Sequence, residues 1–110
     1  MKYLCLVYLE EGKLHAVPDA ECMNCGDEMR KQGRLLAAEP LFPAKTAKTV
    51  RIREGRMSIT DGPFAETKEQ LAGFYLIDAA SHDEALQIAA KIPPARTGSI
   101  EVRPVRELQP

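Results

Sequence analysis

The chain has 110 residues, of which 45% are hydrophobic and 28% are charged, and its formal net charge is −1 at pH 7. A chain of this length forms one domain, residues 1–110, and buries roughly 65% of its unfolded surface on folding. Basic residues are interspersed with acidic ones and form no stripe, so the electrostatic signature of a nucleic-acid-binding protein is missing.

Targeting signals and cysteine usage suggest a compartment. The longest apolar run near the N-terminus, Leu4–Leu9, is too short for a signal peptide or a membrane span. Three cysteines, an odd number, fit reduced thiols better than a disulfide framework. We therefore expect a cytoplasmic protein without a membrane partner.

The first half of the chain predicts strand, helix and strand. Lys2–Leu9 is apolar on both alternating faces, which is typical of a strand that is covered on both sides. Asp19 is a suitable N-cap and Gly33 a suitable C-cap for a helix over about residues 20–32. Leu35–Ala38 predicts a second strand that ends at Glu39 and Pro40.

The second half predicts a hairpin, a strand, a helix and a strand. The run TVRIREGRMSIT (residues 49–60) alternates in polarity around Gly55, as a β-hairpin does. LAGFYLID (residues 71–78) is again apolar on both faces. Ser81 and Glu84 predict a capping box for a second helix that ends before Pro93 and Pro94. Residues 99–105 alternate in polarity as a half-exposed strand.

This element order predicts an α+β fold with one uncovered sheet face. Two helices can cover only one side of the sheet, yet the central strands are apolar on both. A second copy, packed sheet to sheet, is the simplest cover. We therefore predict a homodimer.

The segment DGPFAETKE (residues 61–69) predicts a corner followed by a polar loop. The carboxylate of Asp61 can accept hydrogen bonds from backbone N–H groups of the turn. A residue before proline is excluded from the α region, and Gly62 tolerates the unusual conformations that remain. Pro63 fixes its own φ. We predict Asp61-Gly62-Pro63-Phe64 as a structural turn, with Phe64 anchoring the loop on the core. The candidates for a ligand cleft are Glu39, Asp61, Glu66, Thr67 and Lys68, with solvated salt-bridging residues as the alternative interpretation.

Four blocks of the sequence together resemble the DGPF group of the YCII-related family. They are LLAAEPL, KTVRIREG, TDGPFAETKEQLAGFYLID and DEALQIAAKIPPARTGSIEVRPV. The resemblance spans nearly the whole chain. It implies a ferredoxin-like βαββαβ core with an added hairpin that dimerises into an α/β barrel. Some relatives of this group are linked to sigma factors, and distant ones include an enzyme that eliminates chloride from hydroxylated aromatic rings.

One departure from the family concerns the first helix. Many YCII relatives carry a histidine there, proposed to act with an aspartate, and Cys22 lies at or near its position here. Cys22 and Cys25 have the spacing of a redox motif, and two thiols can contribute to a metal site. The simpler interpretation is that both pack as small hydrophobes. We predict no metal site and no cofactor.

The sequence leaves three alternative functions open. The first is a homodimer that binds a small organic ligand in a cleft of the barrel. The second is a lyase or isomerase on a small aromatic or lactone-like substrate, with Glu39, Asp61 or Glu66 transferring protons. The third is an accessory or regulatory module linked to a sigma factor.

Overall fold

The structure, a computed structural model, describes residues 1–110 and contains six strands and two α-helices. Short 3₁₀ turns lie at Glu11–Lys13, Ala44–Thr46 and Pro93–Arg96. In chain order the main elements are β1 (Lys2–Leu9), α1 (Asp19–Lys31), β2 (Leu35–Pro40), β3 (Lys48–Arg53), β4 (Arg56–Asp61), β5 (Gln70–Asp78), α2 (His82–Ala89) and β6 (Ser99–Pro104).

Four of the strands form one antiparallel sheet in the order β2-β5-β1-β6. With α1 and α2 as the crossovers, this is the ferredoxin-like βαββαβ arrangement that the family resemblance implied. Strands β3 and β4 form a separate two-stranded sheet, the predicted hairpin, inserted between β2 and β5. The α+β fold class is therefore confirmed.

The two faces of the four-stranded sheet differ in burial. One face, which we call the helix face, packs against both helices, and its core includes Tyr3, Cys5, Ile77, Met29 and Ile88. On the opposite, open face the central strands carry half-buried apolar side chains in cross-strand pairs. These pairs are Leu4 with Leu76 and Leu6 with Phe74.

The helix ends follow local capping rules. Ser81 accepts a hydrogen bond from the backbone N–H of Glu84 at 3.2 Å, as the capping box predicted. At the end of α1, Gly33 has φ 73°, and the N–H of Arg34 donates to the carbonyl of Met29, which is a Schellman motif. The predicted N-cap is displaced by one residue.

Pro18, in an extended conformation, is the N-cap of α1, and Asp19 is the first helical residue. The carboxylate of Asp19 there lies in the first turn, where the helix dipole favours a negative charge. Asp19 thus belongs to the start of this helix without capping it.

The predicted corner at residues 61–64 is only partly as expected. Gly62 has φ 95°, and its N–H donates to the carbonyl of Ala47 at 2.7 Å. The carboxylate of Asp61 accepts from Lys48 across the hairpin, and no hydrogen bond from the loop backbone reaches it.

The anchoring role predicted for Phe64 is wrong, since this residue is 79% exposed. The polar half of the loop is held instead by the side chain of Gln70. Its amide donates to the carbonyls of Ala65 and Thr67 at 3.2 and 3.1 Å. The loop therefore keeps its shape without an apolar contact to the core.

The shape of the molecule reflects the uncovered face. Its extents are 46 × 42 × 19 Å, and the smallest one corresponds to a single sheet with one layer of helices. The radius of gyration is 15.6 Å, whereas about 13 Å is typical of a compact domain of this length. The larger radius of gyration is consistent with a hairpin that extends away from the four-stranded sheet. Neither helix has the length and apolar content needed to cross a bilayer.

Candidate functional site

A cleft of about 570 Å³ lies at the end of the sheet where β1 finishes and β6 begins. The loop that precedes β5 forms its other wall. The cleft therefore combines residues from three distant parts of the chain. They are Tyr8, Glu10, Thr67, Lys68, Glu69, Ser99, Ile100 and Glu101.

Hydrogen bonds and one ion pair organise this cleft. The hydroxyl of Ser99 donates to the Oε1 atom of Glu69 at 2.6 Å, which ties β6 to the loop before β5. The Nζ atom of Lys68 lies 3.6 Å from a carboxylate oxygen of Glu10. The hydroxyl of Thr67 donates to the backbone carbonyl of Glu69. The cleft thus offers carboxylate acceptors and one ammonium donor beside the ring of Tyr8.

The open face continues from this cleft across the sheet. Its centre is the apolar group Leu4, Leu6, Phe74 and Leu76. Residues directly opposite each other in an antiparallel pair project to the same face. Glu39 opposes Phe74 on one side of this group, while Glu101 and Arg103 oppose the leucines of β1 on the other. An apolar floor with a few polar groups at its margin is typical of sites for small organic ligands.

The structure separates the residues that the sequence proposed for a cleft. Thr67 and Lys68 both line it. Glu39 lies on the open face, on the edge strand β2. Asp61 is on the hairpin, paired with Lys48, and Glu66 is exposed and does not line the cleft.

Several lining residues were missed by the sequence reasoning. Ser99 and Glu101 lie beside Tyr8 there because β1 pairs with β6 in a register that places Tyr8 opposite Ser99 and Leu6 opposite Glu101. The alternation of residues 99–105 indicated that Glu101 projects away from Ile100 and Val102. It did not indicate which strand lies alongside.

The cysteine pair lies on the other side of the sheet. Cys22 and Cys25 are half-buried free thiols on α1. Burial, followed by the carboxylates of Asp19 and Glu21, raises the pKa of Cys22, while the positive charge of Arg96 and a hydrogen bond with Tyr75 act in the opposite direction. Burial also raises the pKa of Cys25. Protonated thiols are weak nucleophiles, so these environments favour the packing interpretation over the redox one.

Neither histidine lies in the cleft. His15 is exposed in the loop after β1. His82 begins α2, and its Nδ1 lies 2.5 Å from the hydroxyl of the buried Tyr3. No three His, Cys, Asp or Glu side chains converge in a way that could hold a metal ion.

The fold and cleft define a class: a ferredoxin-like α+β protein with an inserted hairpin and an apolar open sheet face. The sequence profile of the YCII-related domain matches residues 1–109, and the chain belongs to the YCII-related family. This confirms the resemblance that the sequence blocks indicated.

Two known proteins are similar to this chain. An uncharacterised protein of Rhizobium meliloti (strain 1021) is 51% identical over 80 residues, which are 71% of this chain and 64% of that protein. The solved structure of a 5-chloro-2-hydroxyhydroquinone dehydrochlorinase from Burkholderia phenoliruptrix AC1100, in complex with 2,5-dihydroxybenzoquinone, superposes with a TM-score of 0.60. The match covers 96% of this chain and 94% of that one at 15% sequence identity, so it supports the fold alone.

Proposed function

We propose that the protein is a homodimer that binds a small organic ligand between its open sheet face and a second copy. The observation that carries this proposal is the open face itself, with its central apolar group beside a polar cleft. We infer a cytoplasmic location, where the three free thiols remain reduced.

The dimer follows from the need to cover apolar surface. Leu4, Leu6, Phe74 and Leu76 are half-buried on a face without helices. Two such faces that pack against each other bury the same patch twice, which suits an isologous two-fold contact. A standard interface buries about 800 Å² per partner.

The ligand class follows from the groups at the cleft. Tyr8 and the apolar floor suit a flat ring. The carboxylates of Glu10, Glu69 and Glu101 can accept hydrogen bonds from ring hydroxyls, and the ammonium of Lys68 can donate to a ring oxygen. A small hydroxylated ring therefore fits best. The dehydrochlorinase complex with 2,5-dihydroxybenzoquinone makes that compound a suitable first probe.

Calorimetric titration with 2,5-dihydroxybenzoquinone tests this proposal. Lys68→Ala is expected to weaken binding roughly tenfold, because it removes a charge-assisted hydrogen bond. Lys45→Ala is the matched control, since Lys45 is an exposed lysine on the 3₁₀ turn before β3 and does not line the cleft. Equal affinity in Lys68→Ala and wild type would place the ligand elsewhere. Absence of binding in wild type would reject this ligand class.

An elimination reaction is the second candidate function. The structural neighbour is a dehydrochlorinase, and the cleft carries carboxylates that could accept a proton as chloride leaves with the electrons of its carbon bond. Of the residues that the sequence proposed for proton transfer, Glu39 alone lies on the open face. Chloride release from 5-chloro-2-hydroxyhydroquinone above the buffer rate would support catalysis. Release at the buffer rate, with the quinone still bound, would leave binding as the function.

A further inference from the structure

The β3–β4 hairpin has one apolar face and one cationic face. The cross-strand pairs Val50–Ile59 and Ile52–Met57 form a continuous apolar row. On the opposite face Arg51 lies across from Ser58, and Arg53 and Arg56 face each other beside the turn. This amphipathic pattern is expected of a strand pair that packs against something on its apolar side.

Nothing within the chain covers that apolar row. Its four side chains are between 57% and 66% exposed, and every residue from Val50 to Asp61 is exposed. A two-stranded hairpin is at best marginally stable in water without such cover. We therefore expect the apolar row to pack against a surface of another molecule.

The charges of the hairpin and of the cleft are complementary. Arg51, Arg53 and Arg56 make no ion pair within the chain. The cleft contains three carboxylates but only Lys68 as a cation. Glu101 lies 3.9 Å from Arg103, whereas Glu69 has no cationic partner. The hairpin thus has unpaired positive charge and the cleft has unpaired negative charge.

The topology places these two features at the same end of the sheet but at opposite edges. The hairpin leaves after β2, whose last residue, Pro40, opposes Gly73 near the start of β5. The cleft lies where β6 begins, with Ser99 opposite Tyr8. In a face-to-face dimer whose two-fold axis runs parallel to the strands, the β2 edge of one copy lies over the β6 edge of the other. Each hairpin, which starts from the β2 edge, can then reach over the β6 edge of the opposite copy, where the cleft of that copy lies.

We propose that the hairpin is an arm that crosses to the second copy and completes its ligand cleft. Its apolar row packs beside Tyr8 of the partner subunit. Arg53 and Arg56 stand beside the turn, and their long side chains bend around the tip to pair with Glu69 of the partner subunit. Each cleft is incomplete without the other copy, and the arm adds positive charge near a bound ring oxygen. This inference rests on the dimer proposed above, and it adds that ligand affinity depends on dimerisation.

A charge-swap experiment tests the arm. Arg53→Glu with Arg56→Glu reverses the tip, and Glu69→Lys with Glu101→Lys reverses the cleft. In a homodimer of either variant both arm contacts join like charges, so the dimer dissociation constant is expected to rise about tenfold or more. In a heterodimer of the two variants both contacts join opposite charges again. An equimolar mixture should therefore recover wild-type dimerisation, with the heterodimer as the main species in native mass spectrometry.

Two controls separate charge pairing from other effects. Lys13→Glu with Lys31→Glu makes the same change in net charge as reversal of the tip, at exposed positions outside the hairpin and the cleft, and should leave dimerisation unchanged. One chain that carries all four hairpin and cleft substitutions should dimerise like wild type. If both variants are folded by circular dichroism, but neither the mixture nor the chain with all four substitutions recovers dimerisation, the arm is rejected.

The outcomes also distinguish this inference from the proposed function. A monomeric wild-type protein would reject the dimer itself. A wild-type dimer whose stability is unaffected by reversal of the tip would reject the arm and leave the dimer standing. If the arm completes the cleft, reversal of the tip should also weaken binding of 2,5-dihydroxybenzoquinone at protein concentrations where the variant is still dimeric. Unchanged affinity there would show that the arm does not complete the cleft.

Discussion

Gly62 is the residue in DGPFAETKE whose identity the backbone requires. Its φ of 95° lies in a region that β-branched residues rarely adopt, and a Cβ at this position would meet no other atom within 4 Å. The cost of a side chain there is therefore conformational strain and not a steric clash with neighbours. The glycine serves to direct the chain from the hairpin into the loop before β5.

Gly62→Val should destabilise the protein by about 1–3 kcal/mol, the usual cost of holding a non-glycine residue in such a conformation. Gly12→Val is the matched control, because Gly12 also has open space around it but no positive φ. Urea unfolding followed by circular dichroism measures both variants. Equal stability of the two would show that the turn adapts to a side chain.

Cys5 is the thiol with the largest effect of burial. It is fully buried at the centre of β1, and burial raises its pKa from 9.0 to about 11. Because the thiolate is disfavoured in the folded state, the folded protein holds this proton more tightly than the unfolded chain. The corresponding stability is fully present below pH 9 and is lost as the pH rises towards 11.

Wild type should accordingly lose stability between pH 8 and pH 11, with a contribution from Cys5 on the order of 1–3 kcal/mol. Cys5→Ala removes the titrating group. It should be less stable than wild type at pH 8, because it leaves a small cavity, but should lose less on going to pH 11. Urea titrations at both pH values give the two differences. Parallel losses in the two proteins would show that Cys5 does not contribute to the pH dependence of stability.

At the scale of secondary structure, local signals predicted most elements. The two-faced apolar pattern of β1 and β5 identified the central strands, and Gly55 identified the turn of the hairpin. Ser81 marked the start of α2 because its capping bond involves only neighbouring residues. The one-residue error at Pro18 arose because an extended proline can occupy the N-cap position without any side-chain hydrogen bond.

The cleft was much less predictable than the elements around it. Ser99 and Glu69 are 30 residues apart in the chain, and their hydrogen bond depends on the pairing register of β1 with β6. A pattern of alternation specifies which face a residue occupies but not which strand lies next to it. Phe64 illustrates a related limit, because an apolar residue in a loop can equally well face a core or remain exposed.

At the scale of the whole molecule, the proposed dimer accounts for the exposed apolar surfaces. The open face and the apolar row of the hairpin are separate patches in the single chain. In the proposed dimer both become buried, and each copy supplies the cover for the other. On this view, the flat shape and the extended hairpin of the single chain are explained by the contacts that each copy makes in the dimer.

Leu6→Glu tests this view of the assembly directly. Leu6 is half-buried on the open face and paired with Phe74, so a charge there would be buried without a partner in the dimer but would reach solvent in the monomer. The dimer dissociation constant should rise about 100-fold or more, as expected for a buried unpaired charge. Leu86→Glu is the matched control, because Leu86 is already 55% exposed on α2, on the helix side of the sheet. Sedimentation velocity at micromolar concentration should show a folded monomer for Leu6→Glu and a dimer for Leu86→Glu and wild type. A stable Leu6→Glu dimer would mean that the two copies do not meet through this face.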